Sequence, residues 1–191
     1  KKLPEGVSGL ARDMKKLGLG FGIWVEPEAV SPKSRLYAAH PDWAITEPGR
    51  EPVYGRNELL LDLTRPEVRD YIVESVAGVL DSAEISYVKW DMNRQMAGVG
   101  GAFAHRYILG LYEVLHRIFD KRPEILFESC SSGGNRFDLG MLCFSPQIWA
   151  SDDTDPIERL DIQKGLSYLY PLSTMGAHVS ASPHAQTLRR T

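Results

Sequence analysis

Two stretches of this chain gather the side chains that chemistry needs. In Lys89-Trp90-Asp91-Met92-Asn93-Arg94 an aspartate closes a short apolar run that begins at Ile85, with a lysine and an asparagine on alternate positions around it. In Ser151-Asp152-Asp153-Thr154-Asp155 three carboxylates follow directly on Gln147-Ile148-Trp149-Ala150. Alternate residues of an extended segment share a face, so Lys89, Asp91 and Asn93 can meet one site. A nearby ammonium favours the ionised carboxylate, the form a nucleophile requires. A plain ion pair at a strand end explains the same three residues without catalysis. Crowded carboxylates raise one another's pKa, which suits a group that must carry a proton near neutral pH. Thr154 or Asp155 ahead of Pro156 is equally a good helix cap. Both readings hold together if Asp155 caps and Asp152 reaches the site, with Asp153 open as its alternative. A pair of carboxylates delivered by two strand ends is the equipment for cleaving a glycosidic bond.

Other motifs are weaker. Cys130-Ser131-Ser132-Gly133-Gly134 could offer a thiol nucleophile or a phosphate cradle, yet no histidine base stands near it and its order matches no phosphate loop. Its small residues predict a loop whose backbone N–H groups approach a ligand. Trp24 and Trp90 lie on strand segments, where a tryptophan is either core or a platform for stacking a sugar; Trp43 and Trp149 are more ambiguous. His40, His178 and His184 lack metal-ligand spacing, so neither metal nor cofactor is expected.

The elements that must position these groups alternate along the chain. Ser8 is expected to cap a helix with Leu10, Met14 and Leu17 on its apolar face, stopped by Gly18. Residues 20–26 read as a buried strand ending at Pro27, and residues 31–57 as a long irregular excursion of the kind that carries function. Thr64 and Glu67 form a capping-box pattern before a helix with Val68, Ile72, Val76 and Val79 on one face. The Tyr87–Asp91 strand follows, then a helix through Phe103, Tyr107, Leu111, Leu115 and Ile118. Strands at Ile125–Glu128 and Gln147–Ala150, a helix over Ile157–Tyr170 and a fifth strand within Met175–Ser180 complete the pattern. Strands separated by helices of this length imply parallel βα units with right-handed crossovers. Polar residues after every strand favour a β/α barrel over an open doubly wound sheet. A complete barrel takes ~250 residues, so the chain is expected to be one segment, 1–191, of a (β/α)8 catalytic domain, with early strands and flanking β domains outside it.

Composition is ordinary for a globular chain of one domain: 191 residues, 43% hydrophobic, formal net charge −3 and mean hydropathy −0.24. The balance suggests neither nucleic acid nor a membrane as partner. Cys130 and Cys143 make no disulfide framework and are expected as free thiols.

Taken in order, Phe21-Gly-Ile-Trp-Val-Glu-Pro-Glu28, His40-Pro-Asp-Trp43, Gly55-Arg-Asn57, Val88-Lys-Trp-Asp-Met-Asn-Arg94, Glu128-Ser-Cys-Ser-Ser-Gly-Gly134, Arg136-Phe-Asp138, Gln147-Ile-Trp149, Ser151-Asp-Asp-Thr-Asp155 and Met175-Gly-Ala-His-Val-Ser180 resemble the catalytic barrel of the α-galactosidases of glycoside hydrolase family 36. The resemblance implies a retaining hydrolase for terminal α-linked galactose, as in melibiose and raffinose-type oligosaccharides. It makes Asp91 the nucleophile and Asp152 the general acid and base, a pair that in a retaining enzyme stands ~5–5.5 Å apart. It gives Lys89 and Asn93 the galactose hydroxyls, Arg56 and Trp24 the wall of the pocket, and Cys130 and Gly133 a place by the 2-hydroxyl. It also implies a galactoside as the partner molecule, a homo-oligomeric parent enzyme and the bacterial cytoplasm. Two alternatives remain: a galactosyl transferase of the raffinose-synthase type, and a non-catalytic sugar-binding fragment.

Overall fold

Helices form where apolar residues recur every three to four positions, and strands where short β-branched and aromatic runs replace that period. The computed structural model describes residues 2–47, 49–178 and 180–181. His184, and Val179 within the expected fifth strand, lie outside the described residues. The chain forms two compact units, Lys1–Leu126 and Phe127–Thr191.

The first unit contains α1 (Gly6–Lys16), β1 (Gly22–Val25), β2 (Ala29–Val30), α2 (Arg35–Ala39), a 3₁₀ turn at Pro41–Trp43, β3 (Leu59–Leu60), α3 (Pro66–Asp81), β4 (Tyr87–Trp90) and α4 (Gly101–Phe119). β1 and β4 pair in parallel, with Trp24 beside Lys89 and Val25 beside Trp90. α3 packs against α4 through a stripe of Val68, Ile72, Val76 and Leu80 on one helix and Tyr107, Leu111, Val114, Leu115 and Ile118 on the other, all buried. Each large apolar side chain so buried contributes ~1.5–3 kcal/mol, and this stripe holds α3 and α4 together.

Several expectations are corrected here. The apolar stripe of α3 continues from Val76 to Leu80, leaving Val79 42% exposed; spacings of three and four both fit the period, and the larger side chain takes the core. Thr64 does not cap α3. Its backbone N–H and hydroxyl both donate to Asp62 Oδ1, at 2.9 and 2.6 Å, and Pro66 opens the helix, where its missing N–H costs nothing. Ser8 lies inside α1, which starts two residues earlier at Gly6. Leu17 of its expected apolar face is exposed, while Gly9 and Ala11 are buried. β1 is not a buried strand: its residues alternate between exposed and half-buried. The excursion over residues 31–57 holds order of its own. Ser34 caps α2 by accepting the Tyr37 N–H, and just outside the excursion β2 pairs antiparallel with β3.

The second unit contains all but the first residue of β5 (Leu126–Ser129), a 3₁₀ turn at Met141–Cys143, β6 (Gln147–Trp149), α5 (Glu158–Ser167), a 3₁₀ turn at Leu172–Thr174 and β7 (Met175–Gly176). β6 pairs in parallel with β5 on one side and β7 on the other. Ser145 joins the first pair: its buried hydroxyl accepts the Ser129 N–H of β5 at 2.8 Å and lies within donating distance of Gln147 O of β6, at 2.5 Å, and of Phe127 O, at 3.1 Å. Parallel strands alternating with helices are thus the rule in both units. The class is α/β, the one expected of a partial barrel.

Candidate active site

In the first unit the chain passes from β4 into a polar turn at Asp91. The Asp91 N–H donates to Val25 O at 2.9 Å, extending the parallel ladder by one residue. This fixes the backbone from which the carboxylate projects. The residue is 6% exposed, and both its oxygens are engaged. Oδ1 accepts the Met92 N–H at 2.8 Å; Oδ2 accepts Trp24 Nε1–H at 3.2 Å and the Asn93 amide at 2.8 Å. Three donors on one carboxylate favour its ionised form and hold it in one orientation. Asn93 is fixed in turn, since its backbone N–H donates to Glu26 Oε1 at 2.6 Å.

Beneath this cluster lies Glu28, fully buried. Its Oε1 accepts Trp90 Nε1–H at 2.7 Å and its Oε2 the Tyr107 hydroxyl at 2.6 Å. Trp90 is therefore core and not a stacking platform. Trp24, 53% exposed and directed at Asp91, is the tryptophan left open to a ligand. Trp43 stacks on His40 with 4.0 Å between ring centroids.

Arg56 and Asn57 form a two-residue turn closed by reciprocal hydrogen bonds between Gly55 and Glu58, at 3.1 and 2.9 Å. Both central residues have positive φ, 53° and 62°, the type I′ geometry. Asparagine tolerates it; an arginine there is uncommon. The Glu58 carboxyl is pushed above its ordinary pKa by burial and then by the charge of Glu26, with Arg56 pulling the other way. Arg94, buried after Asp91, donates to the carbonyls of Val53 and Gln95 and so ties the two loops together. Burial pulls its own pKa down.

In the second unit the three acids of residues 152–155 divide three tasks. Asp155, 1% exposed, accepts the Ile157 and Glu158 N–H groups at 2.9 and 3.2 Å, capping the start of α5 as expected. Asp153 Oδ1 accepts the Asp155 N–H at 3.0 Å, and its own N–H donates to Ser151 Oγ at 3.0 Å, which shapes the turn. Asp152 is exposed, and its Oδ1 accepts Trp149 Nε1–H at 2.8 Å.

The Cys130–Gly134 loop packs against the backbone that carries Asp152. Ser132 and Gly133 turn through positive φ, 46° and 87°, and Ser131 N–H donates to Gly133 O at 3.0 Å. A Cβ on Gly133 would stand 3.0 Å from Asp152 N, and one on Gly134 2.5 Å from Ala150 O. The glycines are needed for this close approach, whatever else the loop binds. Cys130 is buried and Cys143 exposed, both unbridged.

Of the residues singled out by sequence, Trp24, Lys89, Asp91 and Asn93 come together at the ends of β1 and β4, and Arg56 lies exposed at its turn in the same unit. In the other unit Gly133 packs on Asp152, and Cys130 heads the same loop. Sequence reasoning missed the supports, Glu26 and Glu28 in the first unit and Arg159 in the second. Glu26 and Glu28 were signalled by their place at the end of an otherwise apolar run, whereas Arg159 stands among charged neighbours that hide it.

The Melibiase family profile matches residues 1–191. The chain is 54% identical over 198 residues to the alpha-galactosidase AgaA of Geobacillus stearothermophilus, covering 99% of this chain and 27% of that protein. It is 52% identical over 191 residues to the bifunctional alpha-galactosidase/sucrose kinase AgaSK of Mediterraneibacter gnavus, covering 100% of this chain and 20% of that one. A crystal structure of a variant of AgaA in complex with raffinose superposes with a TM-score of 0.89 at 53% identity, covering 96% of this chain and 27% of that chain. This chain thus spans about a quarter of the length of these relatives.

Proposed function

The chain belongs to the Melibiase family, and from that membership we propose that its protein is a retaining α-galactosidase acting on melibiose- and raffinose-type oligosaccharides. Asp91 is the nucleophile. Its carboxylate attacks the anomeric carbon while the glycosidic C–O bond breaks and the proton of Asp152 passes to the departing oxygen. In the second half Asp152, now ionised, takes a proton from water, whose oxygen bonds to the anomeric carbon as the ester to Asp91 breaks. Lys89 and Asn93 hold galactose hydroxyls, Trp24 and Arg56 line the pocket, and Cys130 and Gly133 lie by the 2-hydroxyl.

One observation carries this reading. The Asp91 carboxylate, at the end of a parallel strand, is fixed by three donors, one of them the exposed Trp24. A nucleophile of this mechanism needs to be ionised and aimed before the sugar arrives, and that arrangement supplies both. The choice of Asp152 over Asp153 is supported by exposure: each has one oxygen engaged, but Asp153 is half-buried within its own turn, whereas Asp152 is exposed. Raffinose is bound in the AgaA variant, which supports the substrate class. The test is release of nitrophenol from nitrophenyl α-galactoside by the protein as its gene encodes it. Turnover that survives in a folded Asp91→Asn variant refutes the assignment.

A further inference from the structure

Behind Asp152 stands a cation that the mechanism above does not use. Arg159, on α5, is 2% exposed. Its guanidinium carbon lies 4.7 Å from the centroid of the Trp149 ring, and its Nη2 donates to Ser151 O at 2.8 Å. Trp149 in turn donates its indole N–H to Asp152 Oδ1 at 2.8 Å. The ring is held on other sides too. His178 meets it edge-on at 5.8 Å, and a Cβ on Gly176 would stand 2.9 Å from Trp149 Cε3, so β7 is trimmed to glycine where the indole passes.

We propose that Arg159 is a positioning residue for Asp152, acting through Trp149: it clamps the indole from its face and strengthens the N–H that holds Asp152 Oδ1, leaving Oδ2 to carry the proton. The inference rests on the reading of Asp152 as acid and base.

The physical chain is short. A cation over an indole is attracted to its π face, more strongly when removed from water. The same cation withdraws density from the ring, and hydrogen bonds in series polarise one another. The N–H donor stabilises the carboxylate that proton transfer leaves behind, and with Oδ1 engaged the proton is directed to Oδ2. The bond from Nη2 to Ser151 O fixes the backbone one residue before Asp152, so side chain and main chain are anchored by one guanidinium. Burial draws the Arg159 pKa down while the charges of Asp153 and Asp152 draw it up, which places both carboxylates within its field.

The test compares kcat/KM, which reports the first chemical step, on melibiose and on dinitrophenyl α-galactoside, whose leaving group departs without a proton. Arg159→Met is expected to lower kcat/KM for melibiose about 10- to 30-fold and for the activated substrate less than about threefold. Arg159→Lys, which keeps a cation but loses the guanidinium, should recover part of the loss. Trp149→Phe keeps a ring on the guanidinium and deletes the N–H. It should reproduce the leaving-group selectivity, and a folded Trp149→Phe protein without it overturns the inference even if Arg159→Met fails to fold. Equal losses on both substrates, or no loss in a folded Arg159→Met protein, overturn the inference. Asp152→Ala separates the two layers. If its losses are not leaving-group selective, the acid–base reading falls and this inference with it. If they are selective and those of Arg159→Met and Trp149→Phe are not, the inference alone falls.

Discussion

Asp91 and Asp152 are held in opposite ways. Asp91 is 6% exposed and accepts three hydrogen bonds over both oxygens, with Glu26 and Glu28 fixing the groups around it. Asp152 is exposed, and the indole of Trp149 takes one of its oxygens. A group that must stay ionised gains from every donor aimed at it. A group that must gain and lose a proton each cycle is better served by one fixed oxygen and one left to the proton. The difference in packing is the difference the proposed roles require.

Asparagine substitution should break this comparison most sharply. Asp91→Asn replaces the anionic nucleophile with a neutral amide, and turnover of every galactoside should fall by more than about 10³-fold. Thermal unfolding should show a folded protein. Asp152→Ala should cost on the order of 10²–10⁴ in kcat/KM on melibiose and far less on dinitrophenyl α-galactoside. Matching losses for both variants on both substrates would erase the distinction between the two sites.

A smaller effect sharpens the comparison from below. Glu28 has no part in the proposed chemistry, yet it accepts the N–H of Trp90 and the hydroxyl of Tyr107 in a fully buried position. Glu28→Ala strands both donors and should destabilise the fold by about 2–4 kcal/mol, measured by urea unfolding. Glu28→Gln, which retains one acceptor oxygen, should cost less. Destabilisation no greater for the alanine than for the glutamine would show that these hydrogen bonds do not hold the strand beneath Asp91.

How much of this was legible beforehand follows from range. Asp91 could be read because its neighbours in sequence are also its neighbours in space: Asn93 donates to it across two residues. The capping task of Asp155 was equally local. Trp24 and Trp90 could not be told apart, since both sit on strands and only packing decides which face is core. The Trp90 N–H is held by Glu28, which also accepts the hydroxyl of Tyr107, 79 residues away. Glu28 itself escaped notice because a glutamate is among the residues least often buried unless paired. The failed capping box at Thr64 was a contest between two local patterns, and Asp62 with Pro66 won it.

The smallest expected effect lies at the rim of the first site. Glu58 closes the turn that presents Arg56, and burial together with the charge of Glu26 raises its pKa from an ordinary 4.5. An acid whose folded-state pKa exceeds its unfolded value binds more protons in the folded chain. Its contribution to stability is therefore fully present below the unfolded value and is lost as pH rises through the raised one. Glu58→Gln removes that titration, so its melting temperature relative to the parent should improve as pH climbs from about 4.5 toward neutrality. Asp91 should be untouched, because Glu26 keeps its bond to the Asn93 N–H. A variant that instead loses stability as pH rises would mean that ionised Glu58 is stabilised by Arg56 more than it is penalised by burial. The turn would then be an ion-paired clasp.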